Sequence, residues 1–193
     1  IGTLITILAT AGIMYLLGGG RWHQVGILAV LGIVVGFFII QLAPYRLDRI
    51  SVFFNPDFDP SGAGYQMTQA LIAIGSGGAF GRGFGMSVQK YSYLPEPMGD
   101  SIFAVYLEEM GFLGAILLVG AFLFFLWRGL LVARRAKDSF GKLLAAGITV
   151  SIFIQAFINM AAISGLLPLT GIPMPFVSYG GTSLMVTLIS AGI

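Results

Sequence analysis

The chain has 193 residues, of which 57% are hydrophobic and 9% are charged, and its formal net charge is +2. Soluble domains carry about 25% charged residues, so the composition excludes an ordinary water-soluble protein and favours a membrane protein. The small net charge and the scattered basic residues do not indicate nucleic-acid binding. Without cysteine and with one histidine, the chain has no disulfide chemistry and almost none of the usual zinc ligands.

Both ends of the sequence lie within apolar runs. The chain begins at Ile1 without an initiating methionine or a basic signal-peptide region, and it ends at Ile193. We expect it to be a piece of a longer protein, cut within helices at both ends.

Five apolar stretches approach or reach the length of about 20 residues that a membrane-spanning helix needs. No charged residue follows Lys142, and Pro168, Pro173 and Pro175 divide this tail into two spans because proline interrupts a helix. The sequence therefore predicts an all-α, polytopic transmembrane helix bundle that forms one membrane domain over residues 1–193. The predicted spans are residues 1–17, 25–43, 102–127, 143–164 and 178–193.

The basic residues predict the orientation of these spans. Residues 128–142 contain five lysines and arginines but one acid, Asp138, and short basic loops stay in the cytoplasm. Alternation then makes residues 44–101 a large extracytoplasmic loop. Within that loop residues 62–81 carry no charge, and a short amphipathic or re-entrant helix is expected at about 65–74.

Two segments of the outer loop are candidates for binding anions. Arg46 and Arg49 follow the second span, either as interfacial anchors of a helix end or as a site facing a phosphate. The glycine-rich residues 75–85 look like a phosphate cradle, but no register matches a dinucleotide or P-loop motif. Close backbone packing or a hinge is therefore the interpretation that we prefer for them.

Acidic residues lie near the start of the third span. Asp100 follows an irregular stretch rich in proline and glycine, and it is either a helix N-cap or a functional carboxylate. Glu108 and Glu109 lie two turns further, where a carboxylate should face protein or water rather than lipid.

The last polar cluster combines Asn159 with residues 165–183. It predicts a broken, re-entrant turn that returns through small residues suited to tight helix packing. Considered alone, this pattern also fits the broken-helix binding site of a transporter.

In this order, these clusters resemble the SEDS family (shape, elongation, division and sporulation), which includes FtsW and RodA. The resemblance covers essentially the whole chain, and residues 94–100 and 175–181 are its specific parts in combination. The matching residues are Gly2, Thr3, Arg49, Ile50, Asn55, Pro56, 62–66, 74–78, Gly81, Gly83, 94–96, 100–105, Glu108, Glu109, Gly111, Gly114 and 175–181. Family members have about ten spans, so the chain resembles roughly spans six to ten.

The resemblance implies an inverting peptidoglycan glycosyltransferase, multi-pass in the plasma (inner) membrane, with an extracytoplasmic active site. Its substrate would be lipid II, the undecaprenyl-pyrophosphate-linked disaccharide pentapeptide. Its partners would be a class B penicillin-binding protein and other proteins of the division or elongation complex. Residues 87–90, Tyr93 and Leu94 resemble the division branch more, and residues 170–173 resemble the elongation branch; we favour the division branch.

Asp100 matches the family's catalytic aspartate by position. The neighbours depart from the family pattern, since Met98 and Gly99 replace His-Thr and Ser101 replaces Phe. Asp100 would remove the proton of the acceptor 4-hydroxyl, and nearby cations would stabilise the pyrophosphate leaving group. The predicted substrate-binding residues are Arg46, Arg49, Arg82, Lys90, Glu96, Glu108 and Ser178. No resident cofactor is expected, and a divalent cation is an alternative source of positive charge.

Two other functions stay open from sequence alone. A lipid II flippase would need a polar path with charges on several spans, whereas the second, fourth and fifth predicted spans carry none. A purely structural scaffold of the division complex would tolerate the loss of Asp100.

Overall fold

The computed structural model describes residues 2–41, 49, 51–55 and 58–193, without the side chains of residues 33, 36–41 and 92. Over these residues the regular secondary structure is entirely helical, as predicted. The helices are α1 (Gly2–Leu17), α2 (Trp22–Gln41), α3 (Ala63–Gly77), α4 (Gln89–Ser92), α5 (Ile102–Arg135), α6 (Ser139–Ile163) and α7 (Gly181–Gly192).

Helices α5 and α6 are long and apolar enough to cross a membrane, and α1, α7 and residues 22–32 of α2 are shorter apolar helical stretches. Large apolar side chains are exposed along several of them, among them Ile7, Ile27 and Leu117, each 60% exposed or more. Such a surface is unfavourable in water and suits lipid contact. The prediction of a helical membrane bundle is confirmed.

The helix ends differ from the predicted spans. Helix α5 continues to Arg135 and α6 begins at Ser139, so only residues 136–138 of the predicted loop 128–142 are non-helical. The helices extend into this predicted loop from both sides, because arginine, leucine and alanine favour helix beyond the apolar region. Asp138 caps α6, since its side chain accepts a hydrogen bond from the Gly141 backbone N–H at 2.8 Å.

The other boundaries shift less. Helix α3 extends the helix expected at about 65–74, α2 begins before the predicted residue 25, and α7 begins after the predicted residue 178. The predicted end of the second span, residues 42 and 43, lies outside the described residues.

The core of the bundle lies where α3 and α6 pack against α5, and α1 also packs against α6. Alanines at the helix contacts are fully buried, including Ala70 and Ala73 of α3, Ala104 of α5 and Ala156 of α6. Small residues at these contacts let the helix backbones approach closely, as is typical of packing within membranes.

Helix α5 is interrupted at Gly111, whose φ of 65° and ψ of −164° are not helical. At this break the helix gives up the hydrogen bonds that the N–H groups of Phe112 and Leu113 would make with the carbonyls of Glu108 and Glu109. Four backbone groups therefore need other partners.

The glycine-rich segment that follows α3 supplies all four partners. It lies against the break and exchanges backbone hydrogen bonds with both sides of it. The bonds run from Arg82 N to Glu108 O (2.9 Å), Gly83 N to Glu109 O (3.0 Å), Phe112 N to Gly78 O (2.9 Å) and Leu113 N to Ala79 O (3.1 Å).

This contact requires glycine. A Cβ at Gly77 would overlap the Leu107 carbonyl oxygen, and one at Gly81 would overlap the Glu109 carbonyl oxygen. The interpretation of close backbone packing is confirmed. The N–H groups of residues 81–83 that bond to α5 or α3 are not free to cradle a phosphate, which argues further against nucleotide binding.

We predict that Gly81→Ala destabilises the full-length protein more than Gly85→Ala. The two glycines have φ angles of 78° and 81°, but nothing lies within 4 Å of a Cβ at Gly85. The left-handed conformation costs an alanine about 1–3 kcal/mol at either position, so the excess loss at Gly81 reports the contact with α5. Thermal unfolding in detergent measures both, and equal shifts would contradict the prediction.

Candidate active site

Asp100 lies at the end of the irregular loop that leads into α5, and its side chain is half-buried. The N-cap of α5 is Ser101, and no side chain makes the capping hydrogen bond there. The Asp100 carboxylate is instead bonded through Oδ1, which accepts from Gln66 Nε2 at 3.2 Å and from Ser101 Oγ at 3.3 Å. The alternative that Asp100 is only a helix cap has no support in this geometry.

The backbone on which Asp100 sits is held at three successive carbonyls. The Met98 carbonyl accepts from Tyr179 N at 2.8 Å, and the Gly99 carbonyl accepts from Ser178 Oγ at 2.6 Å. The Asp100 carbonyl accepts from Asn159 Nδ2 at 2.7 Å. Because these donors come from α6 and from the turn before α7, the carboxylate is fixed relative to the bundle and not only to its own loop.

Asn159 joins the two loops that meet at Asp100. It is 1% exposed, and its Nδ2 also donates to the Ile172 carbonyl at 2.7 Å. Ser178, predicted to bind substrate, uses its hydroxyl inside the protein, since Oγ also accepts from Met174 N at 2.7 Å. We therefore assign Ser178 to positioning of the loop.

Arg49 and Asp100 meet at Gly171. A Cβ placed on Gly171 would stand 3.5 Å from Arg49 Nη1 and 3.8 Å from Asp100 Oδ2. Arg49 is held in this place by a hydrogen bond from Nη1 to the Leu169 carbonyl at 3.1 Å. The φ of 67° at Gly171 favours glycine, which has no side chain. The Asp100 carboxylate oxygen and the Arg49 guanidinium therefore border the same small space.

Arg82 and Lys90 have other partners. Arg82 forms an ion pair with Glu108 at 3.4 Å, and Lys90 forms one with Glu109 at 2.6 Å. The hydrogen bond to Glu109 raises the pKa of the Lys90 ammonium above its ordinary value, so Lys90 stays charged at physiological pH. These two cations hold the loop against α5, and the prediction that they contact substrate stays untested.

Glu108 is fully buried. Its carboxylate accepts hydrogen bonds from Ser87 Oγ at 2.6 Å, Val88 N at 3.1 Å and Gln89 N at 3.3 Å. Its side chain is 1% exposed, and its predicted contact with substrate stays a prediction. Its location facing protein agrees with the rule for carboxylates in apolar helices.

The remaining predicted residues lie apart from these contacts. The exposed Glu96 has a φ of 47°, and its carbonyl accepts from Gly99 N at 3.0 Å, so it shapes the turn before Asp100. Arg46 lies outside the described residues. In the part of the chain that the structure describes, no three side chains of His, Cys, Asp or Glu group as metal ligands, and the divalent cation stays a prediction.

Sequence reasoning gave no role to Gln66, Ser101 or Asn159. A neutral amide carries no charge that marks it as functional, and its partners become evident only when distant segments are brought together. The signals in the sequence were that Gln66 ends the stretch 62–66 that resembles the family, and that Asn159 is one of the few polar residues of its span.

We predict that Ser178→Ala lowers the stability of the full-length protein by about 1–3 kcal/mol, because it leaves the buried Met174 N–H without its acceptor and removes the donor to Gly99. Ser76→Ala is the matched control, since that hydroxyl bonds only the carbonyl of Ala73 within its own helix. Thermal unfolding in detergent should separate the two, and an equal effect would contradict the role given to Ser178.

Comparisons with known proteins agree with this architecture. A family model described as cell cycle protein, covering FtsW, RodA and SpoVE, matches residues 1–193. Stage V sporulation protein E of Bacillus subtilis is 42% identical over 193 residues, covering 100% of this chain and 53% of that protein. A probable peptidoglycan glycosyltransferase FtsW of Alkalilimnicola ehrlichii is 46% identical over 196 residues, covering 100% and 49%.

A solved structure is similar as well. It is a chain from a study of a peptidoglycan synthase complex that coordinates polymerization and crosslinking, with a TM-score of 0.77 and 26% identity over 100% of this chain and 53% of that chain. The chain thus spans about half the length of the proteins that it matches.

Proposed function

Because the chain belongs to the family of FtsW, RodA and SpoVE cell cycle proteins, we propose that it is the catalytic part of a peptidoglycan glycosyltransferase. This integral membrane protein would polymerise lipid II into glycan strands at the outer face of the plasma membrane. The relatives named FtsW support a role in division, and the match to stage V sporulation protein E supports the wider family activity.

The observation that carries this proposal is that a carboxylate oxygen of Asp100 and the guanidinium of Arg49 border one space at Gly171. Transfer of a sugar from a pyrophosphate donor needs a base for the attacking hydroxyl and positive charge for the leaving group. The Asp100 carboxylate is a candidate for the base, and the Arg49 guanidinium is a candidate for the positive charge.

In the proposed reaction, Asp100 accepts the proton of the 4-hydroxyl of the acceptor sugar as that oxygen bonds to the anomeric carbon of the donor. The bond from that carbon to the undecaprenyl pyrophosphate breaks, and its electron pair leaves with the pyrophosphate. General base catalysis of this kind contributes typically ~10²–10⁴-fold. One direct displacement inverts the anomeric carbon and makes a β-linkage from an α-linked donor.

Arg49 is the cation that we propose for the leaving pyrophosphate. Arg82 and Lys90 are engaged by Glu108 and Glu109, so their charge is largely compensated. An arginine can contact two phosphate oxygens at once through its planar fork of N–H groups. Arg46 and a divalent cation stay as further proposed sources of positive charge.

We propose that the partner is a class B penicillin-binding protein that cross-links the new glycan. The support is the similarity to a chain of a peptidoglycan synthase complex that combines polymerization with crosslinking. The full-length protein is expected to co-purify with that partner through membrane helices.

We predict that Asp100→Asn reduces polymer formation by at least about 100-fold without lowering the unfolding temperature. Asparagine keeps the size of the side chain and can still accept from Gln66, but it is not a base. The assay is glycan polymerisation from purified lipid II by the full-length protein with its partner.

Asp59→Asn is the matched control for that experiment, because this carboxylate lies in the same predicted outer loop and accepts hydrogen bonds from the backbone N–H groups of Gly62 and Ala63. It is expected to keep most of the activity. Near-normal polymer from a well-folded Asp100→Asn variant would overturn the proposed base.

The orientation is tested by cysteine labelling in an otherwise cysteine-free full-length protein. Ser61 and Ser139 are both exposed, and they lie on the proposed outer and cytoplasmic sides. An impermeant thiol reagent added to intact cells should label a cysteine at position 61 and not one at 139. The reverse pattern would place Asp100 on the wrong side for lipid II polymerisation.

A further inference from the structure

We propose that Gln66, together with Ser101, is a positioning residue that selects Oδ2 of Asp100 as the oxygen that takes the proton. This inference rests on the proposed function and adds to it the residues that orient the base. It is carried by a closed set of hydrogen bonds among three side chains from two different elements.

The three bonds form a ring. Gln66 Nε2 donates to Asp100 Oδ1 at 3.2 Å and to Ser101 Oγ at 3.0 Å, and Ser101 Oγ donates to Asp100 Oδ1 at 3.3 Å. Because a carboxylate only accepts hydrogen bonds, the amide must turn its nitrogen and not its oxygen toward Asp100. Both N–H bonds of the amide are then used, which fixes its orientation.

The ring treats the two carboxylate oxygens differently. Oδ1 receives both donors, whereas Oδ2 is the oxygen beside the Gly171 backbone and the Arg49 guanidinium. A base has to present a lone pair to the hydroxyl within about 2.6–3.2 Å. Oδ2, which lies toward Arg49, meets that need. Oδ1, which is bonded by Gln66 and Ser101, anchors the carboxylate.

Gln66 is well placed to orient the carboxylate because it does not belong to the loop that carries it. Gln66 lies on α3, which is fixed against α5 by the buried Met67, Ala70 and Ala73. Ser101, the N-cap of α5, is 0% exposed. A rotation of the carboxylate would therefore break bonds to two packed helices.

The test uses the full-length protein with its partner and purified lipid II. Gln66→Leu removes both N–H donors of the amide at similar size, and with them one of the two hydrogen bonds to Oδ1. It should lower kcat by at least about 10-fold with KM little changed. Gln69→Leu, one turn further along the same half-buried helix face, is the matched control and should keep both parameters. A raised KM with unchanged kcat would make Gln66 a substrate-binding residue and overturn the inference.

Ser101 supplies a second, independent measurement. Ser101→Ala should also lower kcat, because it removes one of the two donors to Oδ1 and leaves only Gln66. Ser101→Thr should restore activity by returning the hydroxyl. If Gln66→Leu does not fold, this pair decides: equal kcat values for the two Ser101 variants would overturn the inference.

Asp100→Asn separates a failure of this inference from a failure of the proposed function. Gln66→Leu added to Asp100→Asn should cause no further loss, since Gln66 acts through Asp100. Activity in Asp100→Asn would reject the base itself, and the inference with it. If Asp100→Asn is inactive while Gln66→Leu is as active as Gln69→Leu, the positioning role alone is rejected.

Discussion

The exchange of backbone hydrogen bonds at Gly111 is the interaction on which the rest of the structure depends. A helix at membrane depth cannot leave N–H and C=O groups without partners, because lipid offers none. Helix α5 can therefore break only where another backbone supplies the missing donors and acceptors. Residues 78–83 supply two N–H donors and two carbonyl acceptors to the groups that the break leaves without partners. The break in turn places Glu108 and Glu109 beside the loop, where they hold Arg82 and Lys90 and fix its path.

The same exchange sets the register between α3 and the first part of α5. Gly77 at the end of α3 touches the Leu107 carbonyl, while Gln66 near its start bonds Asp100 and Ser101. The two helices thus make contact at both ends of α3, about 16 Å apart along its axis. The Asp100 carboxylate is held through Oδ1 by Gln66 and Ser101, and the backbone carbonyls of Gly99 and Asp100 are held by Ser178 and Asn159. Such a fixed position is the preorganisation that catalysis by a fixed base requires.

The sequence is informative about features that are local and fails on those that depend on distant pairing. Apolar length predicted the helices, and the glycines of residues 75–85 predicted close backbone packing, because each property belongs to its own segment. The partners of Arg82 and Lys90 could not be predicted, since any cation near a predicted active site looks like a phosphate ligand until the loop path is known. Gln66 and Asn159 lie 34 and 59 residues from Asp100 in the chain, and no local pattern announces such bonds.

The way charges are compensated bears on the choice between surface chemistry and transport. Among the acids near the start of α5, Glu108 and Glu109 form ion pairs, whereas Asp100 accepts hydrogen bonds from the neutral Gln66 and Ser101. Charge inside a membrane protein is costly unless it is paired, so the paired acids act as parts of the scaffold. Neutral donors orient a carboxylate without cancelling its charge. A transport path would need such groups repeated along several helices. In the part of the chain that the structure describes, the oriented carboxylate of Asp100 and the Arg49 guanidinium lie at the start of α5, the arrangement that the proposed glycosyl transfer at the membrane surface needs.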